Sequence, residues 1–529
     1  SAQMGNGSFS NSEYPTSVGS MHIETDIAGN KILTYVGAGS RGFSASIASG
    51  FNVFTSETSQ AGRFRYTSTN EQVVTVSEDG NHTLNFVGVG KAKIVVADED
   101  RDLYTIIEIE VLPAEYEQAI EDGTAVFPKV DAGTEFSIAL KADGTVWTWG
   151  SNGYGQLGIN NSDLTYTTGA PEQVIFSNGD PLTDIIDIAA GDRTAYAVTR
   201  DGKVYSWGGN PYSALGYGNI GDSYNQIFPE RVKSQDGNGF FGDDLSSRAI
   251  KIAAGVYQAM VILENGTAYA WGYNWNGMGL GVNGGNTSLP RKVVGVNNAI
   301  DADLGLYSAA ILNRNATAMT VGHNAYGEGG VGHNNHYSLV QTVQKSQEEG
   351  ALKGIVSLGR SDHTGIFATF ELKDEVTDVY DAFNNYVYAT GYNGNGIYGI
   401  GNDSASNFAY PVQVITDTES KEPLTGIADV ASSYRTQFAL ANNDDRNVYA
   451  WGYNNVGQTG NGTVGPNIKL PRLVNKSNGS TEMLSNIMLL ESGAYSTHAI
   501  AAEANKGGVY VWGNNSKYQL GDQTNMNSA

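Results

Sequence analysis

The stretch Ile188-Ala-Ala-Gly191, followed by Asp201-Gly-Lys-Val-Tyr-Ser-Trp-Gly208, occurs seven times along the chain in altered form. The copies close at Trp149-Gly150, Trp207-Gly208, Trp271-Gly272, Val321-Gly322, Thr390-Gly391, Trp451-Gly452 and Trp512-Gly513. A repeat of this length, rich in strands and turns, implies units that bury a core only by stacking on one another, as in a propeller or a solenoid.

The third copy shows how one unit is built. Ile250 to Gly255 reads as a short apolar strand and Ala259 to Leu263 as a buried one. Glu264-Asn-Gly266 supplies a tight turn with Asn-Gly where positive φ is demanded. Thr267 to Gly272 alternates as a strand, Tyr273 to Gly279 is a loop, and Leu289 to Val293 is an outer strand whose proline suits an edge. The turn recurs as Asp143-Gly144 and Asp201-Gly202 and is degenerate at Arg314-Asn315 and Asp444-Asp445; the fifth copy replaces it with an insertion, Glu371 to Asn385. Four strands per unit make one blade, so the expected fold class is all-β.

These residues carry a resemblance. Asp143-Gly-Thr-Val-Trp-Thr-Trp-Gly150, then Asn152-Gly-Tyr-Gly-Gln-Leu-Gly158, resembles the RCC1-type repeat, and the likeness runs over about 118–529. The resemblance implies a seven-bladed β-propeller, similar to secreted bacterial members such as a β-lactamase inhibitor protein. The chain departs from the family where a histidine usually follows Ala-Gly. It has Phe136, Thr194, Gln258, Ser308, Thr436 and Ser496 there, and His363 in the fifth copy.

Upstream, Phe64–Tyr66, Val73–Val76, Thr83–Val87, Ala92–Ala97 and Tyr104–Pro113 read as strands of a β-sandwich. Ser68 to Val76 followed by Val87 to Val96 resembles the bacterial immunoglobulin-like (Big-2 type) domain, which is expected over 19–113. Such modules imply a bacterial cell-surface or secreted protein. Residues 1–18 are expected to be a displaced strand. Gly5 to Val18 aligns without gaps on Gly401 to Val414, and the seventh copy stops before its own Pro-x-x-Val strand. Tyr14, Pro15 and Val18 would then complete a seventh blade, either in the chain's own ring or in a neighbour's.

Composition narrows the function. Net charge is −24, and no basic patch of the kind that binds nucleic acid is visible. No apolar run approaches a membrane span. Cysteine is absent, which excludes disulfides, thiolate metal sites and a cysteine nucleophile. No nucleophile elbow, phosphate loop or zinc-protease helix appears, so no enzyme and no catalytic residue is expected. His333 and His336 share one loop with His323 nearby, but no carboxylate sits at a telling spacing. They read as exposed loop histidines, and no metal site is expected. Asp98 to Asp102 and Asn442 to Asp445 are acidic turns that could hold Ca²⁺ through oxygen ligands or simply be solvated; no other cofactor is expected.

The stronger signal is positional. Two residues beyond each Ala-Gly anchor stand Glu135, Arg193, Tyr257, Tyr307, Arg435 and Tyr495, the fifth copy being out of register. The loops after Trp-Gly add Tyr154, Tyr212, Tyr273, Trp275, Tyr326, Tyr398 and Tyr453. Equivalent positions share one rim of a propeller, and Tyr, Trp and Arg dominate binding hot spots. Two functions follow as expectations. One is a non-enzymatic structural or scaffold protein that assembles with itself; the other is a propeller that binds a protein or glycan.

Overall fold

A computed structural model of the chain describes residues 22–529 apart from 26, 28–29, 42–44, 49–56, 59–63, 78–82, 99, 219–224, 282–283, 362, 374–382, 405–406, 478, 494–495 and 502–507. The strand expected at 1–18, with Tyr14, Pro15 and Val18, lies outside the described residues, as does Tyr495.

From Lys129 onward the repeat units fold as successive antiparallel sheets, among the described residues six of four strands and a last one of three, with a small two-stranded hairpin between the fourth and fifth. In the third unit the strands are Ala249–Ala254, Gln258–Leu263, Ala268–Gly272 and Thr287–Lys292. Gly266 holds φ at 76° in its turn, as Asn-Gly predicted. Where the turn sequence is degenerate, Ala316 and Arg446 occupy the positive-φ slot instead, at 56° and 45°. The outer-strand valines Val174, Val232, Val293, Val343, Val414 and Val474 are buried, which fixes the face each edge strand turns inward.

The first strand of each sheet packs on the first strand of the next, and Ile487–Ser492 packs back on Lys129–Ala132, closing a circle. Side chains lock the same closure. Each Trp-Gly indole N–H donates to a main-chain carbonyl of the preceding unit. The pairs are Trp207 to Gln156 (3.0 Å), Trp271 to Ala214 (2.7 Å), Trp451 to Ile397 (2.8 Å) and Trp512 to Gln458 (2.9 Å). Trp149 donates to Gln519 (2.9 Å) and so joins the first unit to the last. The last glycine of Asn-x-x-Gly-Gln-Leu-Gly is needed where the indole arrives, since a Cβ on Gly158 would lie 2.5 Å from Trp207 Nε1. The repeat's asparagine shapes the same loop: Oδ1 of Asn152, Asn210, Asn324, Asn393, Asn454 and Asn515 accepts the N–H five residues on.

Residues 22–112 form a separate layered β region. His22–Thr25, Ala45–Ala48 and Glu57–Thr58 make one sheet; Lys31–Tyr35, Leu103–Leu112, Gly90–Asp98 and Phe64–Ser68 make another, in that order. Ile23, Ile32, Phe64, Ile94, Val96, Ile107 and Ile109 share its core. The opposite side of the second sheet stoppers one mouth of the circle. Val95, Ala97, Tyr104 and Ile106 enter the same apolar cluster as Ile300, Leu312, Val356 and Phe370 of the repeats. Ile106 N–H donates to the Arg314 carbonyl (3.0 Å), and Lys93 Nζ donates to the Val356 carbonyl.

The acidic turn at 442–445 belongs to this contact. Glu71 N–H donates to Asn442 Oδ1 (3.1 Å), Gln72 Nε2 donates to Asp444 Oδ1 (2.9 Å), and Arg446 Nη1 donates to the Val89 carbonyl (2.6 Å). The other acidic turn is engaged too. Asp98 is buried against Arg101 at 3.4 Å, and Asp102 pairs with Lys353. Protein donors thus hold several oxygens of both turns. Among the described residues no helix is long and apolar enough to cross a membrane.

Candidate functional site

Beneath the stopper the circle of first strands encloses a cavity of about 860 Å³ that reaches from the second sheet to the opposite mouth. It is lined by charge, and the charges stitch neighbouring first strands together. Asp131 Oδ2 accepts the Ala190 N–H (2.9 Å), Asp187 Oδ2 the Ile252 N–H (2.8 Å) and Asp303 Oδ2 the Arg360 N–H (2.7 Å). Lys129 pairs with Asp187 at 2.9 Å, and Lys251 with Asp301 at 3.2 Å. Burial pushes Asp131 up to about 6, Asp303 to about 7 and Glu491 to about 8, with Lys129 opposing the shift at Asp131 and Glu491. Asp301 is burdened by burial too, but its lysine neighbours outweigh that and hold it at about 2. These groups read as the mortar of the ring, since each stitching oxygen already holds an N–H or a lysine.

The open mouth carries the rim expected from the repeat. The strand register puts Phe136, Thr194, Gln258, Ser308 and Thr436 opposite the closing glycines, and in the fifth unit Thr364 pairs with Gly391. His363 therefore takes the rim position of Arg193, Tyr257, Tyr307 and Arg435, one residue before the place where the family's histidine was sought. This corrects the reading of the fifth unit as out of register. Ser361, whose N–H donates to the Thr364 carbonyl, fills the slot of the Ala-Gly glycine; Gly359 lies two residues earlier and misleads the alignment.

Rim side chains from different units touch. Tyr212 meets Tyr257 and Tyr273 with ring centroids 4.8 and 5.3 Å apart, both edge to face. Tyr273 meets Tyr307 at 5.0 Å, and Tyr307 meets His363 at 6.5 Å. The arc continues through Tyr326, 4.8 Å from His363 and 5.2 Å from Tyr392. Arg435 lies over Tyr392 at 5.4 Å and over Tyr434 at 5.0 Å, and Tyr434 meets Tyr453 at 6.0 Å. Arg193, exposed and paired with Asp192, covers Tyr154 at 4.2 Å. Aromatic pairs of this kind are worth about 0.5–1.5 kcal/mol and exposed cation–π contacts about 0.5–1 kcal/mol, so the arc is held in shape by its own contacts. The tyrosines keep a partly exposed edge, and Trp275 is 59% exposed. Tyr398 does not belong to the rim; it is fully buried and donates to the Gly391 carbonyl (2.7 Å).

At the seam of the fourth and fifth units the rim holds a cluster that sequence reasoning missed. Ligating atoms of His323, Glu328 and His363 lie within 4.8 Å of one another. His323 Nδ1 bonds Glu328 Oε1, and His363 Nδ1 is 3.7 Å from the same oxygen. Glu328 is fully buried; burial pushes its carboxyl up, but the two imidazoles outweigh that and hold it below the usual carboxylate range. His336 is exposed and His333 half-buried, and their Nδ1 atoms accept the N–H groups of Asn324 (3.0 Å) and Asn335 (3.2 Å), which makes them loop braces. The missing signal was the carboxylate: Glu328 stands where other copies have Gln156, Gln458 and Gln519.

Residues 143–198 and 201–262 match the Regulator of chromosome condensation (RCC1) repeat, and a second form of that repeat matches 129–156 and 185–213. Yeast RCC1 (Prp20) in its complex with Kap60 superposes with a TM-score of 0.52 at 19% identity, over 69% of this chain and 78% of that one. The chain folds as an RCC1-type β-propeller. Human WBSCR16 is similar to it with a TM-score of 0.54 at 16% identity, over 73% of this propeller chain and 92% of its own. The ultraviolet-B receptor UVR8 of Arabidopsis thaliana is 26% identical over 339 residues, 63% of this chain and 66% of that receptor.

Proposed function

We propose that the chain is a non-catalytic binding module. In this reading residues 118–529 form a seven-bladed propeller, an immunoglobulin-like sandwich over 19–113 stoppers one mouth, and the aromatic arc of the other mouth receives a protein or a glycan. The continuous arc from Tyr212 to Tyr453 is the observation that carries it. Preorganised Tyr and Arg side chains contribute contact area at low entropic cost. The likeness to yeast RCC1, whose structure was solved bound to Kap60, supports a protein partner. A bacterial surface or secreted location belongs to the same proposal and rests on the resemblance of 68–96 to surface modules.

The test is a glycan array and a protein display library probed with the wild-type chain, each hit being remeasured with two variants. Tyr257→Ala/Tyr307→Ala on the rim should weaken binding about tenfold or more. Arg446→Ala at the stoppered mouth should leave it unchanged. Hits indifferent to the rim variant remove the rim as the binding surface.

One observation favours a second reading, self-assembly by strand exchange. The last sheet, Ile487–Ser492, Ser496–Ala501 and Gly508–Gly513, has three strands among the described residues. Gly513 bridges Ser528 where Gly150, Gly208 and Gly272 pair with their fourth strands. Residues 1–18 would lie along that edge. Cysteines at Thr16 and at scanned positions from Tyr510 to Gln519 test it. A monomer-sized crosslink means closure of the chain's own ring, a concentration-dependent ladder means donation to a neighbour, and no crosslink removes the idea.

A further inference from the structure

We infer that His323, Glu328 and His363 form a site for a divalent transition-metal cation on the open mouth. The inference stands independently of whether the rim receives a partner.

The repeat shows what is unusual at this place. In the first, sixth and seventh units the loop glutamine uses Oε1 to accept the N–H two residues before it, as Gln156 does from Tyr154 (2.7 Å), Gln458 from Val456 (2.9 Å) and Gln519 from Lys517 (2.8 Å). Glu328 keeps that bond, its Oε2 accepting from Tyr326 at 2.9 Å. The remaining atom changes character. Gln519 Nε2 donates onward to the Thr134 carbonyl of the next unit, whereas Glu328 presents an anionic oxygen, Oε1, in the place of that amide. Two histidines from different units converge on it. His323 follows Gly322, where other units have Ser151, Gly209 or Tyr273; His363 holds the rim position of the fifth unit.

Two imidazoles and one carboxylate match the donor set of Zn²⁺ and its neighbours in the first transition row, not the all-oxygen shell of Ca²⁺ or Mg²⁺. Tetrahedral ligation at about 2.0–2.1 Å places donors about 3.3 Å apart. His363 Nδ1 and Glu328 Oε1, at 3.7 Å, are already near that, and His323 Nδ1 needs only to exchange its hydrogen bond for a metal bond. The ligand side chains are 16%, 0% and 15% exposed, so the carboxylate is anchored in the wall while the imidazoles reach solvent. Three protein donors leave a fourth position for water or an incoming group. The buried Arg360, whose Nη1 bonds the Glu328 carbonyl, opposes a second positive charge, and the Glu328 carboxylate supplies the balance. His336 lies 4.4 Å from the His323 ring, but its Nδ1 is used by the Asn324 N–H, so it is assigned as a neighbour and not a ligand.

The test uses the full chain without a histidine tag, dialysed free of metal and titrated with ZnCl₂ by calorimetry, with Co²⁺ absorption as a second readout. The expected result is one Zn²⁺ per chain and visible Co²⁺ bands. Both should be lost in Glu328→Gln and in His363→Ala and kept in His336→Ala. Glu328→Gln is a safe variant, because glutamine serves the same loop in three other units, and unchanged thermal melting will show it. No saturable binding by the wild type, undiminished binding by Glu328→Gln, or loss in His336→Ala would each overturn the assignment.

Discussion

The two mouths of the channel are built from opposite ends of the same repeats and have opposite characters. At the stoppered mouth, turn residues such as Arg314, Asn442 and Arg446 are bonded to the N-terminal sheet, and apolar side chains of that sheet fill the opening. At the open mouth, tyrosines, histidines and arginines touch mainly one another. One repeated architecture thus presents one end for burial and the other as a formed surface that none of the described N-terminal strands covers. The difference teaches that the character of each mouth is set by its loop residues, since the strands beneath repeat one antiparallel pattern.

The largest expected effect tests whether the stopper is integral. Ile106→Ala empties a fully buried site and should cost about 2–5 kcal/mol in urea unfolding, whereas Tyr257→Ala on the rim should cost about 1 kcal/mol or less. Equal losses would erase the distinction between the mouths. Next, Trp207→Phe removes the indole bond and leaves the Gln156 carbonyl unpaired, an expected loss of about 1–3 kcal/mol.

The channel gives a pH signature. Asp131, Asp303 and Glu491 keep protons up to about 6, 7 and 8 in the folded protein, while the unfolded chain releases them near the ordinary carboxylate values. Folded pKa values above unfolded ones mean stability that is complete at low pH and lost as pH rises through that range. Thermal melting should therefore drop from pH 5 to pH 9, and Glu491→Gln should flatten the drop by roughly 1–2 kcal/mol. A flat wild-type profile would mean that water reaches these carboxylates. The smallest effect belongs to the rim: Arg193→Ala should change stability by less than about 1 kcal/mol, because its guanidinium is largely exposed and ion pairs and cation–π contacts there are weak.

The sequence by itself determined the unit. Trp-Gly, the turn pairs and the Asn-x-x-Gly-Gln-Leu-Gly loop each carry a local demand that a residue type meets, so strands such as Gln258–Leu263 and Ala268–Gly272 were legible to within a residue. It also marked Arg193, Tyr257, Tyr307, Arg435 and Tyr273 as equivalent positions. Tertiary structure decided what those equivalences touch. The register of the fifth unit is set by pairing of Thr364 with Gly391, and the Gly359 spacing concealed it. His323 and His363 come from different units, and Glu328 joins them only because its glutamine slot faces the next unit's rim. The channel carboxylates were invisible as a group, since residues far apart in the chain meet only when the ring closes. Local chemistry is encoded within each repeat, whereas a site shared between repeats exists only through the contacts that stack them.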